Sequence, residues 1–161
     1  MTVKEYNECV DLYADSLYRF IKTDLHDDEM AHDIVQDTYE KLWRHVTEVE
    51  QESAKGWLFS TAYHGMIDVI RKKKLTQLTD SYDDDILKSE SQYSDINDVL
   101  HKALTSLPEQ QRTVLLLRDY EGYDYKEIVK ITGLNESQVK VYIYRGRIAM
   151  KKYIGDIDKI I

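Results

Sequence analysis

Two stretches of the chain gather cations where a polyanion would need them. Arg71-Lys72-Lys73-Lys74 follows an aromatic-bearing segment running from Trp57 through Tyr63 and His64, and Lys140, Arg145, Arg147, Lys151 and Lys152 outweigh Glu136 within residues 136–152. Rings beside cations suit single-stranded nucleic acid, since any base stacks on a ring while its phosphate sits against Lys or Arg. A basic helix behind a short helix and a glycine turn suits duplex DNA, whose major groove admits an α-helix. Each stretch also has an ordinary reading, as a solvated helix end or a helical hairpin with a charged outer face. Glu29-Met-Ala-His32 has the Glu-x-x-His spacing of di-metal helical bundles, with Asp98-Val-Leu-His101 as a possible mate. Both members fall on the polar side of their helix, however, so no metal site is expected. With one Cys, no glycine-rich phosphate loop and no nucleophile elbow, neither a catalytic centre nor a cofactor is expected.

The 161 residues carry a formal charge of −8, unevenly spread: −5 over residues 1–75, −6 over 76–98 and +3 over 99–161. A uniformly acidic surface would repel phosphates, so indiscriminate coating of nucleic acid is excluded and any contact must come from the local basic faces. Six Gly and one Pro leave room for long helices and too few turns for a β-sandwich, so the class is all-α. The single Cys9 cannot close an internal disulfide, and no apolar run approaches the roughly 18 residues of a membrane span. The start Met1-Thr-Val-Lys-Glu does not read as a secretory signal. A cytoplasmic protein without membrane insertion is expected.

Apolar residues at Tyr6, Cys9, Val10, Tyr13, Leu17, Phe20 and Ile21 keep the three-and-four spacing of one helix face and predict a helix over 4–23. Asp27 or Asp28 caps a second helix to about His45, with Met30, Ala31, Ile34, Val35, Thr38, Leu42 and Trp43 as its inward stripe. A third, over 54–74, carries Trp57, Leu58, Ala62, Met66 and Ile70 and ends in the basic cluster, where cations meet the negative end of the helix dipole. These make a first domain over 1–75. The acidic, Ser-rich stretch 76–94 reads as a flexible linker. The second domain, 95–161, opens with a helix through Leu107, and Pro108 starts the next in its first turn. Asp124 with Glu127 caps a short helix, Thr132-Gly133-Leu134 turns, and Asn135 with Gln138 caps the last helix.

That last pair of helices has the outline of a helix-turn-helix. With Val139, Ile143 and Met150 inward, Ser137, Gln138, Lys140, Val141, Tyr144 and Arg145 fall on the outer face. Gln138 suits adenine, Arg145 guanine or phosphate, and Val141 a thymine methyl.

Several motifs together resemble one family. Residues Ala31 to Trp43 are similar to the second helix of the small two-domain bacterial RNA polymerase sigma factors called the extracytoplasmic-function group. Trp57-Leu58-Phe59 through Ile67-Asp68-Val69-Ile70-Arg71-Lys72-Lys73 is similar to that group's promoter-melting helix. Leu107-Pro108-Glu109-Gln110-Gln111-Arg112, Gly122 to Ile128, and Val139-Lys140 with Tyr144-Arg145-Gly146-Arg147 resemble its fourth region. The resemblance covers almost the whole chain in the family's order. It implies a non-enzymatic promoter-specificity subunit with core RNA polymerase, promoter DNA and an anti-sigma factor as partners. By the same resemblance, Asp33, Gln36, Asp37 and Glu40, with Leu42 and Trp43 as packing anchors, would dock on the clamp helices of the largest polymerase subunit. Trp57, Tyr63, His64, Arg71 and Lys72 would meet the minus-ten element, and the last helix would read the minus-thirty-five element. The chain departs from the family in having Tyr63-His64-Gly65 where Arg-Asn-Leu is usual, Val141-Tyr142 for Ser-Arg and Gly146 for Ala. Two other readings stand beside this one: a stand-alone helix-turn-helix regulator, which leaves the patterned first 75 residues unexplained, and a module that sequesters such a factor, which would inhibit transcription where a sigma factor activates it.

Overall fold

The computed structural model describes residues 1–79 and 96–160, and every regular element among them is helical. Thr2 opens α1 (Val3–Leu25) with a capping box: its hydroxyl accepts from the Glu5 amide and the Glu5 carboxylate accepts from the Thr2 amide. His26 ends α1 in the left-handed conformation, φ 61°, and the Asp27 carboxylate accepts from the Met30 amide to start α2 (Asp28–Arg44). The chain then enters α3 (Gln51–Thr79), longer than the predicted 54–74 by about a turn at either end. The linker expected over 76–94 falls mostly outside the described residues; its first four positions complete α3.

The second half begins with α4 (Ile96–Thr105) and α5 (Glu109–Leu115), Pro108 standing one position earlier than expected, at the N-cap. At Leu116–Tyr120 the helix widens to a π-turn, in which the Glu121 amide donates to the Leu116 carbonyl. Gly122, φ 78°, reverses the chain toward α6 (Tyr125–Thr132), and Gly133, φ 80°, toward α7 (Glu136–Ile160). Both glycines hold a backbone region that side chains disfavour. The Asp124–Glu127 box and the Asn135–Gln138 pair form as read from the sequence.

Leu17, Phe20, Ile21, Ala31, Ile34, Leu42, Leu58, Phe59, Ala62 and Met66 fill the core between α1, α2 and α3, while Val114, Leu117, Ile128, Ile131, Val139 and Ile143 fill the second. Phe59 extends the first core toward the second, its ring 5.5 Å edge-on from that of Tyr123. The two halves are not separate bodies. Helix α3 packs on α6, and α1 packs on both α4 and α5. A buried polar cluster sits in that seam: Arg112 Nε donates to Asp24 Oδ1 at 2.7 Å, Thr113 Oγ1 donates to Asp24 Oδ2 at 2.7 Å, and Arg112 also donates to the Asp24 and Leu107 carbonyls. Asp24 is only 3% exposed, and burial, outweighing the attraction of Arg112, pushes its carboxyl up to about 6.

Candidate functional site

On α2, Asp33, Gln36, Asp37 and Glu40 recur at intervals of three and four, and all four are exposed along one outer stripe. Trp43 extends the stripe at 48% exposure, its ring 5.1 Å edge-on from Tyr6. Leu42, read both as part of the inward stripe and as a packing anchor, is fully buried and does not show on this surface, whereas Trp43, read into the same inward stripe, turns outward because consecutive residues of a helix lie about a hundred degrees apart. Leu42 supports the stripe from beneath. Tyr39, which the sequence pattern leaves out of the core, is buried because its hydroxyl crosses to the Cys9 carbonyl at 2.9 Å, while the Tyr6 hydroxyl donates to the Tyr39 carbonyl at 3.0 Å. The result is an open groove of about 500 Å³ lined by Val3, Tyr6, Asn7, Gln36, Tyr39, Glu40 and Trp43. An aromatic floor with acidic sides fits a protein partner that brings a basic, partly apolar helix surface. Its floor was missed in the sequence because it comes from α1.

On α3, Trp57, His64 and Arg71 are spaced by sevens and so share one stripe over about 21 Å of helix. Trp57 is half-buried beside His45, His64 is exposed, and Arg71 and Lys72 are exposed beyond them. Tyr63 does not join them. It is buried against the core, with its ring tilted against that of His64 at 5.4 Å between centroids, so it packs the helix rather than presenting an outward face as expected. Arg71 lies 3.9 Å from Asp68, and Lys73 lies 3.9 Å from Asp27, while Lys72 and Lys74 are exposed cations of the same cluster.

On α7 the outer face carries all six expected residues: Ser137, Gln138, Lys140, Val141, Tyr144 and Arg145 are exposed. Two details change what they can do. The Gln138 side-chain oxygen accepts from the Asn135 amide at 3.0 Å, so its carboxamide is committed to the helix start, and bidentate pairing with adenine would require releasing that cap. Arg147 donates through two nitrogens to the Asp119 carboxylate and is pulled toward the π-turn, away from the outer face. The other five, Ser137, Lys140, Val141, Tyr144 and Arg145, keep their outward places, with Ile148, 51% exposed, one turn beyond. Ile148 lies past Arg145, where the outer face read from the sequence stopped. Lys140 and Arg118 bracket the Tyr125 ring at 5.6 and 4.9 Å, joining α6 to the basic side of the same surface.

Among the described residues no cluster of three metal-ligating side chains occurs, and no helix is long and apolar enough to cross a membrane.

Comparison with known proteins finds two family regions along the chain. Residues 9–76 match Sigma-70 region 2, and residues 97–150 match Sigma-70, region 4. The chain is 31% identical over 140 residues to the RNA polymerase sigma factor SigV of Bacillus subtilis (strain 168), covering 85% of this chain and 83% of that protein. It is 28% identical over 150 residues to the ECF RNA polymerase sigma factor SigM of the same organism, covering 90% of this chain and 92% of that one. Among solved structures, the sigma factor RpoE from Bartonella quintana, determined with the anti-sigma factor NepR, superposes with a TM-score of 0.81 over 95% of this chain and 98% of its own, at 25% identity.

Proposed function

The chain belongs to the extracytoplasmic-function sigma factors of the sigma-70 family, regulatory proteins that direct RNA polymerase to promoters and initiate transcription, and we propose that its described faces divide that work among them. Residues 1–75 form the polymerase-docking and minus-ten unit, 76–94 the connection, and 95–161 the minus-thirty-five unit. The α2 stripe of Asp33, Gln36, Asp37, Glu40 and Trp43 docks on the clamp helices of the largest polymerase subunit, where complementary charge sets orientation and encounter rate. The α3 stripe of Trp57, His64, Arg71 and Lys72 meets the minus-ten strand by stacking and phosphate contact. The outer face of α7 lies in the major groove of the minus-thirty-five element, Arg145 reading guanine and Val141 a thymine methyl. The protein acts in the cytoplasm, contributes no catalytic residue of its own, and is held in check by an anti-sigma factor.

The observation that carries this reading is the opposite chemistry of two outer faces on one small chain: acidic and aromatic on α2, basic and apolar on α7. With a net charge of −8 the free protein binds duplex DNA poorly, and polymerase supplies the missing affinity. Run-off transcription with core polymerase tests the reading. Sequence-specific binding by the free protein at about 0.15 M salt, where phosphate attraction is well screened, would contradict it.

A further inference from the structure

Where the π-turn interrupts its helix, the molecule has a cleft that none of the three faces above uses. It holds about 210 Å³ between the end of α1, the middle of α4 and the π-turn itself. Helix α1 supplies Phe20 and Thr23, α4 supplies Leu100 and Leu104, and Leu116 and Tyr120, the first and last residues of the π-turn, close it. Phe20, Leu104 and Leu116 are almost wholly removed from water, so the floor is aliphatic around one aromatic ring. An apolar protein cavity of about 150 Å³ takes up benzene, so this cleft has room for one substituted ring or a small fused pair.

Polar groups stand at one side of that floor. The Glu121 side chain is 6% exposed, and Arg19, itself largely in solvent, donates to its Oε2 at 3.3 Å. Burial raises the Glu121 carboxyl above its ordinary range, against the pull of Arg19 and Lys55. Arg19 fills one acceptor position of a carboxylate that offers about four. The Thr23 hydroxyl is committed to the Arg19 carbonyl at 2.8 Å, while Tyr120 and His101 complete the rim. A cationic guest would meet Arg19 and an anionic one Glu121, so the wall favours a neutral guest. An N–H or O–H on that guest would give the buried carboxylate a further donor.

The wall is also held in place without a guest. The Glu121 amide donates to the Leu116 carbonyl at 3.0 Å across the π-turn, and Arg147 of α7 grips Asp119 from the other side. Preorganisation of this kind lowers the cost of binding, and single π-turns within helices are frequent at functional sites.

We propose that this cleft binds a small neutral aromatic molecule carrying one hydrogen-bond donor, of the phenol or indole class. Its ring rests on Phe20, Leu104 and Leu116, and its N–H or O–H donates to Glu121. The site is separate from the polymerase and DNA faces and stands or falls without them.

The probe is indole, and indene, of the same shape without the N–H, is its comparison. Each is titrated into the isotope-labelled full chain, and amide chemical shifts report where and how tightly it binds. Indole should give saturable shifts at residues 19–23, 100–104 and 116–121 and bind about tenfold more tightly than indene, as one hydrogen bond to a charged group predicts. Glu121→Leu should remove the difference between the two. Leu100→Trp, at a half-buried position on the rim, should fill the cleft and abolish binding of both while the spectrum of the folded chain persists. Shifts that fail to saturate or that scatter over other surfaces overturn the proposal, as does indole binding that survives in folded Leu100→Trp. Equal binding of indole and indene by the wild-type chain overturns it too, and that comparison requires no variant to fold. Should Leu100→Trp unfold, the indole-to-indene ratio in wild type and in Glu121→Leu decides.

Discussion

Helices α2 and α7 are built by the same rule and used in opposite ways. Each buries one stripe on its own half's core, Ala31, Ile34, Thr38 and Leu42 in the first and Val139 and Ile143 in the second, and each opens with an Asx cap. What differs is the outer face. Helix α2 shows carboxylates beside Tyr6 and Trp43, whereas α7 shows Lys140, Arg145 and an apolar edge of Val141, Tyr144 and Ile148. Folding constrains the inner stripe of both and leaves the outer stripe free for a partner, so the proposed roles fall on the positions that contribute least to stability.

The largest effect should come from crossing that boundary within α2. Leu42→Ala should cost about 2–5 kcal/mol of stability, read by denaturant melts, while Trp43→Ala next to it leaves the melt within about 1 kcal/mol and weakens polymerase binding. Equal loss of stability in both would erase the distinction between the faces. Next, the double change Asp37→Lys, Glu40→Lys should lower binding to core polymerase about tenfold or more in a pull-down, with helix content unchanged, since like charge now meets like. A folded double variant that still binds would move the docking face elsewhere.

Within α7 the structure sharpens the comparison further. Arg145→Ala should cost about 1–3 kcal/mol at one base pair of the minus-thirty-five element and little at others. Gln138→Ala should weaken all promoters alike and lower stability by about 1 kcal/mol, because it removes half of the Asn135 cap. A base-specific change in Gln138→Ala would show that the cap opens on DNA.

The seam gives a pH response with two signs. Asp24 carries a pKa of about 6 in the folded chain, and burial also raises that of Glu121, so the folded state binds protons that the unfolded chain releases. Their contribution is full at low pH and is lost as pH rises through about 6. His26 opposes them. Its pKa is lowered, first by burial and then by Arg112 and His101, so its contribution disappears as pH falls through its range. Asp24 is faced by Arg112 and Thr113 and lies near Glu109 and Tyr63, none of which reverses this order. In His26→Asn, which tolerates the left-handed backbone, denaturant melts should lose less stability between pH 7.5 and 5 than wild type, and adding Asp24→Leu should make that loss steeper again.

The smallest effect belongs to a residue on neither face. A methyl group at Gly65 would meet only Ile34 Cγ2 at 3.7 Å, so Gly65→Ala should raise stability by about 0.5–1 kcal/mol in a thermal melt while polymerase and promoter binding stay unchanged.

Most of the helices and three of their caps were legible because these signals are local: Asp27, Asp124 with Glu127, and Asn135 with Gln138 each act within three residues. The exposed charges of α2 and α7 followed from the same periodicity. The misplacements have one cause. Trp43 was read into the inward stripe by periodicity, Tyr63 was given an outward role by resemblance and Tyr39 was given no place, but each helix here is packed by more than one neighbour, and the neighbours decide burial. The Asp24–Arg112 contact spans 88 residues and leaves no periodic trace, so neither residue stood out except as part of a motif. The π-turn at Leu116 was equally silent, since its helical residues carry the same spacing as an α-helix.

Promoter-directed initiation that needs both outer faces is the central claim, and one reconstitution tests it most directly. Run-off transcription with core polymerase on a cognate promoter should be strong with the wild-type chain, fall to background with Asp37→Lys, Glu40→Lys, and with Arg145→Ala fall on that promoter but recover on a template altered at one upstream base pair. Transcription that survives the acidic-face reversal, or an Arg145→Ala defect that no upstream base change relieves, would contradict it.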